Sequence, residues 1–152
     1  MLADRLSSAL ARIGRTRDWL TVVYLDLDTF KLVNDDHGHE VGDDVLATAA
    51  MRLALAVRPG DTVARVGGDE FVVICEGVGP CEVEDIINRL SSALAEPQCV
   101  NGQTLVLTAS IGVETTDDPT TSPDELLRRA DPAMYGEKRL QRLFSARSPS
   151  SA

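Results

Sequence analysis

Three carboxylates in this 152-residue chain have the types and spacing to do chemistry. Asp69 and Glu70 stand side by side in Arg65-Val66-Gly67-Gly68-Asp69-Glu70-Phe71, between two apolar runs. Asp26 interrupts the end of another apolar run, Thr21 to Leu27. Adjacent like charges repel, and Asp and Glu are poor strand formers, so flanking strands do not call for them. A carboxylate at the end of a buried run is costly unless paired. If the two segments are neighbours, the three carboxylates meet and need a cation. Hard oxygen ligands suit Mg²⁺ or Mn²⁺, and Mg²⁺ usually joins protein carboxylates to substrate phosphates. The alternative is a pair of solvated turn carboxylates. Asp28 either shares the face of Asp26, two positions along the strand, or caps a helix starting at Thr29.

The elements that must position these groups follow from periodicity. Leu2, Leu6, Leu10 and Ile13 recur at helical spacing, and Gly14 to Asp18 ends that helix. Thr21–Leu27 reads as a buried strand, followed by a short helix from Thr29 and a loop punctuated by Gly38 and Gly42. A long helix is expected from near Asp43, with Val45, Leu46, Ala49, Ala50, Leu53 and Val57 on one face. Arg58-Pro59-Gly60-Asp61 ends it with turn chemistry. Val63–Val66 and Phe71–Cys75 read as a hairpin whose Gly67-Gly68 turn calls for positive φ. Val83 to Leu94 is a further amphipathic helix, closed by Pro97. Asn101-Gly102 signals a second hairpin, between Gln98–Val100 and a strand Leu105–Val113. Ser122-Pro123-Asp124-Glu125 starts the last helix, through Leu126, Leu127, Ala130, Ala133 and Met134, with a kink at Pro132. The pattern is α+β: a central, mainly antiparallel sheet flanked by helices.

Composition limits the function classes. A net charge of −9 argues against a long nucleic-acid track, yet leaves room for a small phosphate ligand held by a few local cations. Cys75, Cys81 and Cys99 have no metal-site spacing and cannot all pair within the chain, which fits a reduced, cytoplasmic compartment. No run is apolar and long enough to span a membrane. The sequence opens directly on a helix, which is what is expected of a domain cut from a longer protein, one that a membrane span elsewhere could tether. Residues 1–144 are expected to form the domain, and 145–152 a small, polar, frayed tail.

RVGGDEF, YLDLDTFKLVNDDHGHEVGDDVL and SIGVE followed by DELLRRADPAMYGEK resemble a GGDEF domain, of the bacterial diguanylate cyclase family. The match runs from about Leu2 to Arg142, with several motifs in order. The resemblance implies a fold like the polymerase palm and nucleotide cyclase cores. It implies an enzyme that joins two GTP into cyclic di-GMP and releases two pyrophosphates. By that similarity Asp26, the Leu27 carbonyl, Asp69 and Glu70 hold Mg²⁺ or Mn²⁺, and Asp69 or Glu70 helps remove the proton of the attacking hydroxyl. Gly67 and Gly68 let a phosphate or nucleoside approach closely.

Asn34 and Asp43 match the family's guanine readers. Their hydrogen-bonding capacity suits guanine's N1–H and N2–H donors. Alone, Asn34 would be a turn residue and Asp43 a helix cap. Phe30 and Lys31 match the segment whose amides cradle the β- and γ-phosphates. Lys138 and Arg142, four apart on one helical face, match the distal phosphate pair, although unaided they read as a solvated charge pair. His39 matches a loop-ordering His. Arg58 and Asp61 fit the R-x-x-D inhibitory site for cyclic di-GMP, at nine and six residues before Gly67, and Arg89 is a possible second arm.

The chain lacks the D-x-L-T-G-L-x-N-R segment with which the family often begins. It carries Asp131-Pro132, Gly136 and Gln141 where the family has other residues. Each such domain holds one GTP, so turnover implies a second copy, and the sensory domain that usually pairs them is missing. Two other readings stay open: a non-catalytic module binding GTP or cyclic di-GMP, and another palm-like nucleotidyltransferase.

Overall fold

The computed structural model describes residues 1–28 and 30–133. The chain order is α1 (Leu2–Thr16), β1 (Leu20–Leu27), α2 (Phe30–His37), α3 (His39–Ala56), β2 (Thr62–Arg65) and β3 (Glu70–Glu76). A 3₁₀ turn at Pro80–Glu82 leads to α4 (Val83–Ala95), β4 (Gln98–Val100), β5 (Gln103–Leu105), β6 (Ala109–Thr116) and α5 (Pro123–Ala130). The main sheet has the order β2-β3-β1-β6, antiparallel throughout, and β4-β5 form a separate two-stranded hairpin. The α+β class expected from the pattern is the one observed.

The sheet is covered on both faces, which is why β1 reads as an unbroken apolar run. Val23, Leu25, Leu27, Phe71, Val73 and Cys75 pack with residues of α2, α3 and α4. The alternate residues Leu20, Val22, Val72 and Ile74 pack with α1 and α5. Successive strand residues point to opposite faces, so one strand serves both cores. Asp26 falls in the second series, at the strand end where the covering runs out.

Several expected boundaries move. Helix α3 begins at His39, not near Asp43, because Gly38 at φ 88° makes the break and Gly42 lies buried inside the helix. The single strand expected over Leu105–Val113 is two: β5 ends at Leu105, Leu107 drops into the core, and β6 starts at Ala109. Helix α1 continues through Gly14 and ends on Arg17 in the left-handed region. Helix α5 ends at Ala130 and Asp131, at ψ 127°, breaks it, with Pro132 and Ala133 helical again; the expected kink at Pro132 is a full break one residue earlier, because the residue before a proline is pushed to extended geometry. Its start is as expected, with Ser122 Oγ accepting from the Glu125 N–H at 3.1 Å. Gly67 and Gly68 do not have positive φ; the reason for Gly67 is steric and belongs to the site. Met134, Lys138, Arg142 and the 145–152 tail lie outside the described residues. Among those residues no helix is long and apolar enough to cross a membrane.

Candidate active site

Strand register brings the opening carboxylates together. Asp26 on β1 pairs directly with Glu70 on β3. The Leu27 N–H donates to the Asp69 carbonyl at 3.0 Å, and the Val66 N–H to the Glu70 carbonyl at 2.9 Å, closing the β2–β3 turn. Arg65 braces that turn from within. Its Nε donates to the Gly67 and Gly68 carbonyls at 3.1 and 3.2 Å, and its Nη2 to Gly68 at 2.9 Å. The guanidinium is thus engaged with main-chain oxygens, and among the described residues no ion pair forms to Asp26, Asp69 or Glu70.

The electrostatic consequence falls on Asp26. Burial, then the charges of Asp69, Glu70 and Asp28, push its carboxyl up to about 6. Glu70 reaches back over the turn. A side chain at Gly67 would meet its Oε2 at 2.6 Å, so only glycine leaves Glu70 that space. The same oxygen accepts from the Tyr24 hydroxyl at 3.2 Å. Burial and the nearby Glu70 charge raise Tyr24 to about 12. No such crowding surrounds Gly68, which faces open space.

Among the described residues no three His, Cys, Asp or Glu side chains form a ready-made metal-binding group. The donor chemistry still fits a hard divalent ion. Asp26 and Asp69 are carboxylates that face each other, and phosphate oxygens commonly complete the shell of Mg²⁺.

Helices α2 and α3 build the neighbouring wall. Asn34 lies over Gly42: a Cβ there would collide with the Asn34 Oδ1, and the Phe30 ring stands 3.4 Å from the same point. That Oδ1 is buried and accepts no hydrogen bond. A buried acceptor without a donor is costly, so the site is one that a ligand N–H would complete. Asp43 follows Gly42 and is exposed, in the second turn of α3, so the capping alternative for it falls. Phe30 and Lys31 open α2, where the first helical N–H groups have no intrahelical acceptor. His39 is the exposed first residue of α3.

Arg58 and Asp61 form a closed turn at another corner. The Arg58 N–H donates to Asp61 Oδ2 at 3.0 Å, and the Asp61 N–H donates to the Arg58 carbonyl at 3.1 Å. The buried Cys75 thiol is raised to about 12, by burial first and then by Asp61, while Arg89 and Arg58 act in the opposite sense. Arg89 on α4 therefore shares this corner with Arg58 and Asp61.

Sequence reasoning missed Tyr24 and the partners of Asp28. The alternation that put Asp26 on one face also puts Tyr24 there, which was a usable signal. The partners of Asp28 are Ser110 on β6 and Thr108 just before it, and no local pattern announces them.

Comparison with known proteins agrees with this architecture. The model of the diguanylate cyclase GGDEF domain matches residues 1–143. The diguanylate cyclase TpbB of Pseudomonas aeruginosa is 38% identical over 142 residues, covering 91% of this chain and 32% of its own length. A sensory box/GGDEF family protein from Caulobacter crescentus superposes with a TM-score of 0.82 at 38% identity, covering 91% of this chain and 90% of that one. The GGDEF domain of DgcB from Caulobacter crescentus, solved in complex with c-di-GMP, gives 0.79 at 27% identity, covering 90% and 81%. The chain belongs to the GGDEF domain family. It spans 15% to 32% of the length of the curated relatives it matches.

Proposed function

We propose that this domain is a diguanylate cyclase that condenses two GTP molecules into cyclic di-GMP. The observation that carries the reading is the meeting of Asp26 with Asp69 and Glu70 at the open end of β1 and β3, where no ion pair to them forms among the described residues. Asp26, Asp69 and the Leu27 carbonyl would hold Mg²⁺ or Mn²⁺, with Glu70 beside them. When bound, the ion supplies positive charge to the α-phosphate and the attacking oxygen.

Asn34 and Asp43 read the guanine edge, with the unpartnered Asn34 Oδ1 accepting one of its N–H donors. The amides of Phe30 and Lys31 receive the distal phosphates at the start of α2. Lys138 and Arg142 belong to the same reading through their positions in the family motif. The ribose 3′-oxygen of one GTP attacks the α-phosphorus of the other in line. The bond to the bridging oxygen breaks, pyrophosphate leaves, and the hydroxyl proton passes to Asp69 or Glu70. The step happens twice, so two copies of the domain face each other, each holding one GTP. GTP as substrate places the reaction in the cytoplasm. Arg58, Asp61 and Arg89 form the product-binding corner, where guanidinium groups meet the phosphates of cyclic di-GMP and Asp61 accepts from guanine.

The test is direct. Purified chain at high concentration is incubated with GTP and Mg²⁺, and the nucleotides are separated by chromatography. Cyclic di-GMP is expected with the wild type and not with Glu70→Gln. Added cyclic di-GMP slows the wild type and leaves Arg58→Ala running. GTP bound but never converted, even with two copies joined, overturns the catalytic reading in favour of a binding module.

A further inference from the structure

The turn between β1 and α2 carries a carboxylate with no part in the chemistry above. Both oxygens of Asp28 are occupied. Ser110 Oγ donates to Oδ1 at 2.5 Å, and Thr108 Oγ1 donates to Oδ2 at 3.2 Å. The Asp28 N–H donates to the Thr108 carbonyl at 3.0 Å. One exposed hydrogen bond fixes little, but three on one residue leave it a single orientation. The partners are themselves anchored: Ser110 is the register partner of Asp26, and Leu107, just before Thr108, is fully buried.

Position gives the arrangement its consequence. Asp28 stands between the Leu27 carbonyl and the first turn of α2, where Phe30 and Lys31 lie. Main-chain amides serve a phosphate only if they are held in direction before it arrives. An unpaired anion beside that cradle would repel the phosphates. Two hydroxyl donors turn the charge toward β6 and spread it into hydrogen bonds. Asp suits the task because it accepts from two hydroxyls at once, whereas Asn offers one acceptor oxygen.

We propose that Asp28, with Thr108 and Ser110, is a positioning clamp that fixes the β1–α2 turn for the GTP triphosphate and does not ligate the metal. This rests on the reading of the Phe30 and Lys31 amides as the distal phosphate cradle. The clamp selects for the phosphate tail, not for the base, and acts through the main chain rather than by touching substrate.

Two ligands separate that role from a general structural one. A non-hydrolysable α,β-methylene analogue of GTP, with Mg²⁺, reads base and phosphates together, whereas GMP reads the base pocket without the distal phosphates. Calorimetric titration of the Thr108→Val/Ser110→Ala double variant should show affinity for the analogue falling about tenfold or more, with affinity for GMP unchanged. Ser110→Thr, which keeps a hydroxyl at that position, should bind the analogue nearly as the wild type does. Unchanged analogue affinity in the double variant overturns the clamp, and so does a parallel loss of GMP affinity. Asn34→Ala is the control for the site itself and should lose both ligands. If it keeps both, or if the wild type binds neither, the active-site reading fails and takes the clamp with it.

Discussion

Asp26 titrates near pH 6 in the folded chain, from burial and from the charges of Asp69 and Glu70, against 3.8 for an ordinary Asp. Unfolding returns it to water and to that ordinary value. Between the two values the folded form holds more protons than the unfolded form. Stability therefore falls as pH rises from about 4 to about 6, and stays at the lower level above. Partial exposure reduces the effect to about 1 kcal/mol, or a few degrees in melting temperature. With EDTA present, the wild type should melt lower at about pH 7 than at about pH 5, and Asp26→Asn should flatten the difference. Mg²⁺ should restore the wild type at the higher pH and leave Asp26→Asn unmoved; a flat wild-type profile in a thermal scan contradicts the account. The Arg12–Glu76 pair holds Glu76 below its usual range and weakens only in more acid solution, so it does not mimic this slope. At this scale the sequence disclosed the costly Asp26 carboxylate unaided. The unpartnered oxygen of Asn34 and the bond from Tyr24 to Glu70 needed neighbours that only packing supplies.

At the scale of elements, the end of α5 approaches β6 most closely at Gly112. A side chain at Gly112 would collide with the Ala130 carbonyl, the last residue of the helix. Gly112→Ala should therefore push the end of α5 away from the sheet and cost about 1–3 kcal/mol. Hydrogen exchange should show α5 amides losing protection while β1 and β3 keep theirs; uniform exchange across the sheet would argue for global damage instead. The start of α5 was legible, because Ser122, Pro123 and Glu125 together specify a helix N-terminus. The start of α3 was not. Asp43 imitates a cap, whereas the actual break is the backbone of Gly38, and His39 to Gly42 carry no local capping pattern. The split between β5 and β6 was hidden for a similar reason: Leu107 belongs to the core whether it lies on a strand or between two.

For the whole molecule, one copy supplies one site and the proposed reaction joins two substrates. Turnover per chain should therefore rise with chain concentration, roughly doubling with each doubling while dimers are scarce. A rate series over dilution measures this, and a constant turnover per chain would mean that single copies suffice. The sequence by itself determined the α+β class, the covered central strand, the hairpin carrying Asp69 and Glu70, and the family. Each is written in local spacing, as alternation, helical period, turn residues and contiguous motifs. Only the tertiary structure decided that Glu70 folds over Gly67 toward Tyr24, that Asn34 sits on Gly42 with its oxygen unpaired, and that Asp28 is tied to Thr108 and Ser110. Those relations join residues up to 82 positions apart. Strand register and helix packing set them, and both depend on burying the two faces of one sheet together.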